Sequence, residues 1–134
     1  MHLQVAIVPP MVRDGEGRVC VVVDVLRATS TLAMLLRAGT PLVRIAPDPQ
    51  AALAYARSQE RRVLLAGEVG GLPPAGFDYG NSPLAFSQMD LRGQDVVFAT
   101  SNGTRAIRAV QASPHVLAGS FLNATAVVET ALAF

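Results

Sequence analysis

Lysine is absent: all eleven basic side chains of this 134-residue chain are arginine, set against ten acids for a formal net charge of +1. With no basic cluster, the chain lacks the electrostatic footprint of a nucleic-acid partner. The arginine bias is compositional and does not by itself make any one arginine an anion ligand. Cysteine is nearly absent. The single Cys20 allows no internal disulfide framework, fits a reducing compartment, and sits in an apolar run that predicts a core position. Histidine is scarce too. His2 belongs to the terminus and His115 to an expected loop, so neither a histidine-based zinc site nor a histidine triad is expected. No apolar run approaches the roughly 18 residues of a membrane span. The opening MHLQVAIVPP has no basic stretch followed by a long apolar one, which argues against a signal peptide. A soluble, cytoplasmic protein is the expectation. Neither GxGxxG nor GxxxxGK[ST] occurs, which excludes the dinucleotide fingerprint and the P-loop. There is no CxxC. Six residues, not five, separate Cys20 from Arg27, so the phosphate-cradling cysteine loop of tyrosine phosphatases is not formed.

What is present is an ordinary globular composition, 51% hydrophobic and 16% charged, in a length suited to one domain, 1–134. Strand-length apolar runs alternate with helix-period segments. Leu3 to Val8 reads as a strand ended by Pro9-Pro10. Val19 to Val25 (VCVVVDV) reads as a strand buried on both faces. Ser30 to Ala38 is helical, with Thr29 or Ser30 as N-cap and Gly39 as stop. Leu42 to Ile45 is a short strand, and Asp48-Pro49 opens a helix running to about Gln59. Further strands are expected at Val63 to Ala66, Asp95 to Ala99 and Val116 to Ala118, with helices at Gly103 to Ala112 and from Leu122 onward. No internal repeat stands out. The alternation predicts an α/β fold, three layers α/β/α around a mostly parallel sheet. The apolar helical pattern AVVETALAF runs to Phe134 without a cap, which suggests a longer natural chain.

In an open parallel sheet, ligands bind beyond the carboxyl ends of the strands. Four polar segments occupy that position: Asp24 to Thr31, Gly67 to Pro83, Thr100 to Arg105 and Gly119 to Thr125. The first places Asp24 among valines, a costly burial for a carboxylate without a partner. Arg27, Thr29 and Ser30 follow at a helix start, where N–H groups, hydroxyls and a guanidinium suit phosphate or sulfonate oxygens. Capping by Thr29 or Ser30 and a solvated Arg27 is the plainer alternative. The second segment is 17 residues long, against a median of about 4–6 for loops in compact domains. It carries Glu68, Asp78, Asn81 and Ser82. Asp24, Glu68 and Asp78 are three candidate carboxylates for magnesium, which takes one or two carboxylates plus water and substrate oxygens. Solvated surface acids are again the alternative. In the third and fourth segments, Thr100, Ser101, Asn102, Gly103 and Thr104, then Ser120 and Asn123, are positioned to donate to anionic oxygens. Arg105 is either a ligand or a surface residue.

DVLRATST, GEVGGLPPAGFDYGNSP, TSNGTRA and GSFLNA, in that order and spacing, resemble the 2-phosphosulfolactate phosphatase family, from about Val19 to Ala126. The resemblance implies a magnesium-dependent acid phosphatase with a three-layer α/β/α fold. Its reaction would convert 2-phospho-3-sulfolactate to 3-sulfolactate and phosphate, a step toward coenzyme M where that is made. Asp24 and Glu68 would be the first metal ligands and Asp78 the third. Arg27, Asn102, Thr104 and Asn123 would hold substrate oxygens. Asp24 is the first choice for either nucleophile or base. Two features depart from the family. Val69 stands where an arginine usually follows the glutamate, and valine cannot replace a guanidinium at an anion. Members are also considerably longer, with further acids in a C-terminal portion. The alternatives are a truncated, non-catalytic anion-binding module and an oligomeric structural protein of the same fold. The partner expected in the leading reading is a small anionic phosphorylated substrate, with no nucleic acid and no membrane.

Overall fold

The computed structural model describes residues 2–12 and 15–134. After a 3-10 turn at Pro9–Met11, strands and helices alternate in an α/β order. They are β1 (Val19–Val23), α1 (Ala28–Arg37), β2 (Val43–Ile45), α2 (Pro49–Ser58), β3 (Leu64–Glu68), α3 (Pro83–Ser87), β4 (Val96–Thr100), α4 (Gly103–Ala109), β5 (His115–Gly119) and α5 (Ala124–Leu132).

β4 explains the layering. All five of its residues are buried, and it pairs in parallel with β2 on one side and β3 on the other. Side chains alternate across a strand. Val96 and Phe98 therefore face α1 and α3, packing with Ala28, Leu32, Leu35 and Phe86. Val97 and Ala99 face α2, packing with Ala52 and Leu65. The result is helix, sheet and helix in three layers around β2–β4–β3. β1 and β5 form a second parallel pair, in register from Val19 opposite His115 to Val23 opposite Gly119. Among the described residues, no helix is long and apolar enough to cross a membrane.

Local chemistry sets the helix ends. The Asp48 carboxylate accepts from the Ala51 N–H at 2.7 Å, and Pro49 takes the first helical position, as the sequence predicts. α1 stops at Gly39, whose φ of +92° is costly for any residue with a Cβ.

Several expectations are corrected. Residues 3–8 form no strand; Leu3 and Ile7 are exposed, and apolar alternation makes a strand only where a partner edge exists. β1 is not covered on both faces. Val22 is buried, but Val23 is 66% exposed, because β1 lies in a two-stranded sheet and its outer face opens on a groove of about 260 Å³. That groove is lined by Val21, Val23, Phe121, Val127 and Val128. Cys20 is accordingly half-buried. His115 starts β5 rather than lying in a loop, and stacks on Phe134 with 3.6 Å between ring centroids. α4 ends at Ala109 and α5 starts at Ala124, both shorter than the apolar pattern suggests. α3 has no clear periodic signal at five residues, and Ser82 caps it by accepting from the Ala85 N–H at 3.4 Å.

Candidate active site

The carboxyl ends of the parallel strands carry the polar segments, and three of the four segments are joined by contacts through Glu68 and Gly103. Glu68 closes β3 opposite Thr100 of β4. Its carboxylate Oε1 accepts from the Ser101 N–H at 2.8 Å and its Oε2 from the Gly71 N–H at 2.8 Å. The Arg27 guanidinium donates to the Gly71 carbonyl at 3.3 Å. Gly103 lies against the first segment. A Cβ there would overlap Ala28 and stand 3.1 Å from Asp24 Oδ2 and 3.2 Å from Thr100 Oγ1. Only a glycine lets the two turns approach this closely. The fourth segment lies beside the first, since Val23, the residue before Asp24, pairs with Gly119, the residue before Ser120.

Not every predicted residue faces outward. The Thr29 hydroxyl accepts from the Asp24 N–H at 2.9 Å, and the Ser30 hydroxyl donates to the Val25 carbonyl at 2.7 Å. Both are buried and tie down the turn that presents Asp24. Neither is the N-cap: α1 begins at Ala28, two residues before the expected Ser30, and Arg27 holds the N-cap position with no side-chain bond. Thr104 is fully buried and locked to Thr100. Its hydroxyl donates to the Thr100 carbonyl at 2.7 Å, and its N–H donates to Thr100 Oγ1 at 3.1 Å. Asn123 is equally occupied: its Oδ1 accepts from the Ser120 N–H and hydroxyl at 2.8 and 3.1 Å, and its amide donates to the Ala118 carbonyl at 2.9 Å. Asn102 differs, being exposed with no side-chain capping bond. Asn81 is buried, and its Oδ1 has no partner among the described residues. Such an acceptor is costly to leave unmet.

Asp78 is not brought to the other two carboxylates. Its Oδ2 accepts from the Leu65 N–H at 2.8 Å and its Oδ1 from the Arg62 guanidinium at 2.6 Å. That is the amino end of β3, about 10 Å along the strand from Glu68 at a rise of roughly 3.3 Å per residue. Among the described residues, no three of His, Cys, Asp and Glu cluster as a metal site. The donor chemistry of the remaining pair is uneven. Both Glu68 oxygens face N–H groups, whereas no donor among the described residues reaches the Asp24 carboxylate. Of the two, Asp24 is the carboxylate that could hold a magnesium ion together with substrate oxygens and water.

Opposing effects set the Glu68 acidity. Burial favours the neutral acid, but the Gly71 and Ser101 N–H groups, the Ser101 hydroxyl and the Arg27 charge together hold its pKa below the ordinary glutamate value. A depressed folded-state pKa adds stability that is fully present above the unfolded value of about 4.3 and is lost as pH falls through the lower folded value. Urea midpoints of the wild-type chain should therefore decline from about pH 5 downward. In the Glu68→Gln variant that decline should be shallower; equal slopes would rule out Glu68 as a contributor.

Sequence reading did not single out Gly71, whose N–H and carbonyl link Glu68 to Arg27. The available signal was the Gly70-Gly71 pair itself, with φ of +59° and +88°, a dipeptide that marks a tight turn directly after a carboxylate.

A model of the 2-phosphosulpholactate phosphatase family matches residues 8–133. A relative from Deinococcus radiodurans is 47% identical over 134 residues, 99% of this chain and 54% of the relative. One from Nostoc punctiforme is 43% identical over 118 residues, 87% of this chain and 48% of the relative. One from Thermus thermophilus is 40% identical over 136 residues, 98% of this chain and 54% of the relative. Each is named a "Probable 2-phosphosulfolactate phosphatase". The chain spans about half the length of these curated relatives. With the family match covering nearly its whole length and these identities behind it, the chain belongs to the 2-phosphosulfolactate phosphatase family.

Proposed function

We propose that this chain carries the phosphate-handling half of a magnesium-dependent phosphomonoesterase, acting on 2-phospho-3-sulfolactate to release 3-sulfolactate and phosphate. The observation that supports it most is the close approach of the turn after β1, with Asp24 and Arg27, to the 101–103 turn after β4, with the Asp24 carboxylate unengaged among the described residues. Arg27 supplies a fork for phosphate or sulfonate oxygens. Exposed Asn102 adds amide donors at the rim. Asp24 would hold the magnesium ion. When bound, that ion neutralises phosphoryl charge and lowers the pKa of a coordinated water. In the reaction, water oxygen forms the new P–O bond, the ester P–O bond breaks, and a proton passes to the departing sulfolactate oxygen. Asp24 would assist either as the base that takes a proton from that water or as a nucleophile whose acyl phosphate the water then hydrolyses. A site in a reducing cytoplasm, supplying a sulfonate pathway such as that to coenzyme M, completes the reading.

A second reading is favoured by one observation. α5 has no buried residue although its sequence is strongly apolar; its own Leu132 and the preceding Phe121 are exposed. An apolar helix face left open is ordinarily covered, so the chain is also suited to assembly with a further copy or partner. One preparation tests both. The purified chain is incubated with 2-phospho-3-sulfolactate and magnesium, phosphate release is followed with and without a chelator, and the same sample is sedimented at several concentrations. Chelator-sensitive release is expected. Binding without release, in a defined oligomer, would replace the enzymatic reading with the assembly one.

A further inference from the structure

We infer that Glu68 is a positioning residue rather than an ion ligand: its carboxylate fastens the 68–71 turn to the 100–103 turn, and Gly71 in turn holds Arg27 for the substrate anion. This rests on the phosphomonoesterase reading above and divides the labour of its two carboxylates.

The geometry separates Glu68 from Asp24. Each Glu68 oxygen receives a backbone N–H at 2.8 Å, one from each turn. With a backbone donor already on each oxygen, a cation would have to share both oxygens with N–H groups. Magnesium demands near-ideal octahedral geometry at short distance, and two fixed backbone donors restrict the directions from which it could reach Glu68. The donors instead neutralise a mostly buried charge, the situation in which such a charge is stable. Asp24 has none of these partners among the described residues.

The 68–71 turn has its own closure. Val69 N–H donates to the Leu72 carbonyl at 2.9 Å and Leu72 N–H to the Val69 carbonyl at 3.3 Å. It is thus a compact unit, and Glu68 is the side chain that attaches it to β4's end. The Gly71 carbonyl then receives the Arg27 guanidinium at 3.3 Å. Val69 is exposed and supplies no cation at this turn, which leaves the fixing of Arg27 as the contribution of the turn to anion binding. Glu68 should accordingly act on substrate affinity through Arg27, and leave the ion requirement and the turnover step alone.

Three measurements decide. First, amide exchange in the wild-type chain: the Gly71 and Ser101 N–H groups should exchange at least tenfold more slowly than unstructured amides. Exchange at unstructured rates overturns the proposal, whatever the variants do. Second, kinetics of Glu68→Gln: KM should rise about tenfold or more while kcat stays within about threefold, since lost ground-state binding moves KM alone. A fall in kcat at unchanged KM overturns it. Third, calorimetry with magnesium alone: the affinity of Glu68→Gln should stay within about twofold of wild type. A tenfold weakening makes Glu68 an ion ligand and overturns it. If the wild-type chain releases no phosphate, the functional reading fails, while exchange and calorimetry still judge Glu68. If Glu68→Gln does not fold, the wild-type exchange rates stand as the deciding result.

Discussion

Gly67→Ala is expected to abolish the fold, or to lower the melting temperature by roughly 15 °C or more. Gly67 lies in β3 directly opposite Ala99 of β4. A Cβ at this position would overlap the Ala99 carbonyl oxygen, with the Ala99 carbonyl carbon at 2.8 Å and its nitrogen at 3.1 Å. Those atoms are the backbone of the central strand, so no rotamer change relieves the contact. Relief requires β3 to part from β4 between Leu65 and Glu68, which also pulls Glu68 from the Ser101 N–H. The cost belongs with the exceptional substitutions above about 4 kcal/mol, a large share of a typical stability of about 5–15 kcal/mol. Gly70→Ala is the internal contrast. Its φ is +59°, but nothing lies within 4 Å of the added Cβ. The substitution should cost only the left-handed backbone penalty, about 1–2 kcal/mol. Urea denaturation followed by circular dichroism measures both. A Gly67→Ala protein within about 1 kcal/mol of wild type would show that β3 and β4 are not packed as described.

The legible parts of this fold were those whose causes are local. Asp48 followed by Pro49 carries its own capping chemistry, and Gly39 its own stop, so both ends were readable from a few residues. The alternation of strands and helices fixed the parallel pairing, because a short helical crossover returns the chain in the same direction. What could not be read depends on neighbours distant in sequence. The valines of β1 have the composition of a doubly covered strand. Whether Val23 is covered depends on what packs outside it, and nothing in VCVVVDV encodes that. Thr29 and Ser30 were correctly placed at a helix start, but the direction of their hydroxyls follows from the Asp24–Arg27 turn closing back on α1. Asp78 was placed in the right loop and at the wrong end of β3. The loop returns alongside the strand, with Tyr79 bridging Ala66, and that path is invisible in composition. The backbone donors of Gly71 and Ser101 left the weakest trace, since every residue but proline carries an N–H.

The same difference between neighbouring carboxylates governs the substitution expected to affect activity most. Asp24→Asn should reduce phosphate release by about 10³-fold while leaving stability within about 1 kcal/mol of wild type. The backbone of Asp24 is held independently of its carboxylate: its N–H donates to Thr29 Oγ1 at 2.9 Å, and its carbonyl accepts from the Thr29 N–H at 3.0 Å. The isosteric amide fits the same space beside Gly103, so geometry is retained and charge is lost. That charge is what would bind magnesium or assist the attacking water. Asp78→Asn removes the same charge from the other end of β3. It weakens the Arg62 ion pair, whose arginine is 76% exposed and contributes little, and it keeps an oxygen for the Leu65 N–H. Its release rate should stay within about twofold of wild type. Initial rates at saturating substrate and magnesium, with denaturation curves for each protein, separate the two. If Asp24→Asn retains more than about a tenth of wild-type release, the reacting carboxylate lies elsewhere. If Asp78→Asn loses activity while remaining folded, the three-carboxylate arrangement expected from sequence is restored, and β3 does not separate Asp78 from the site.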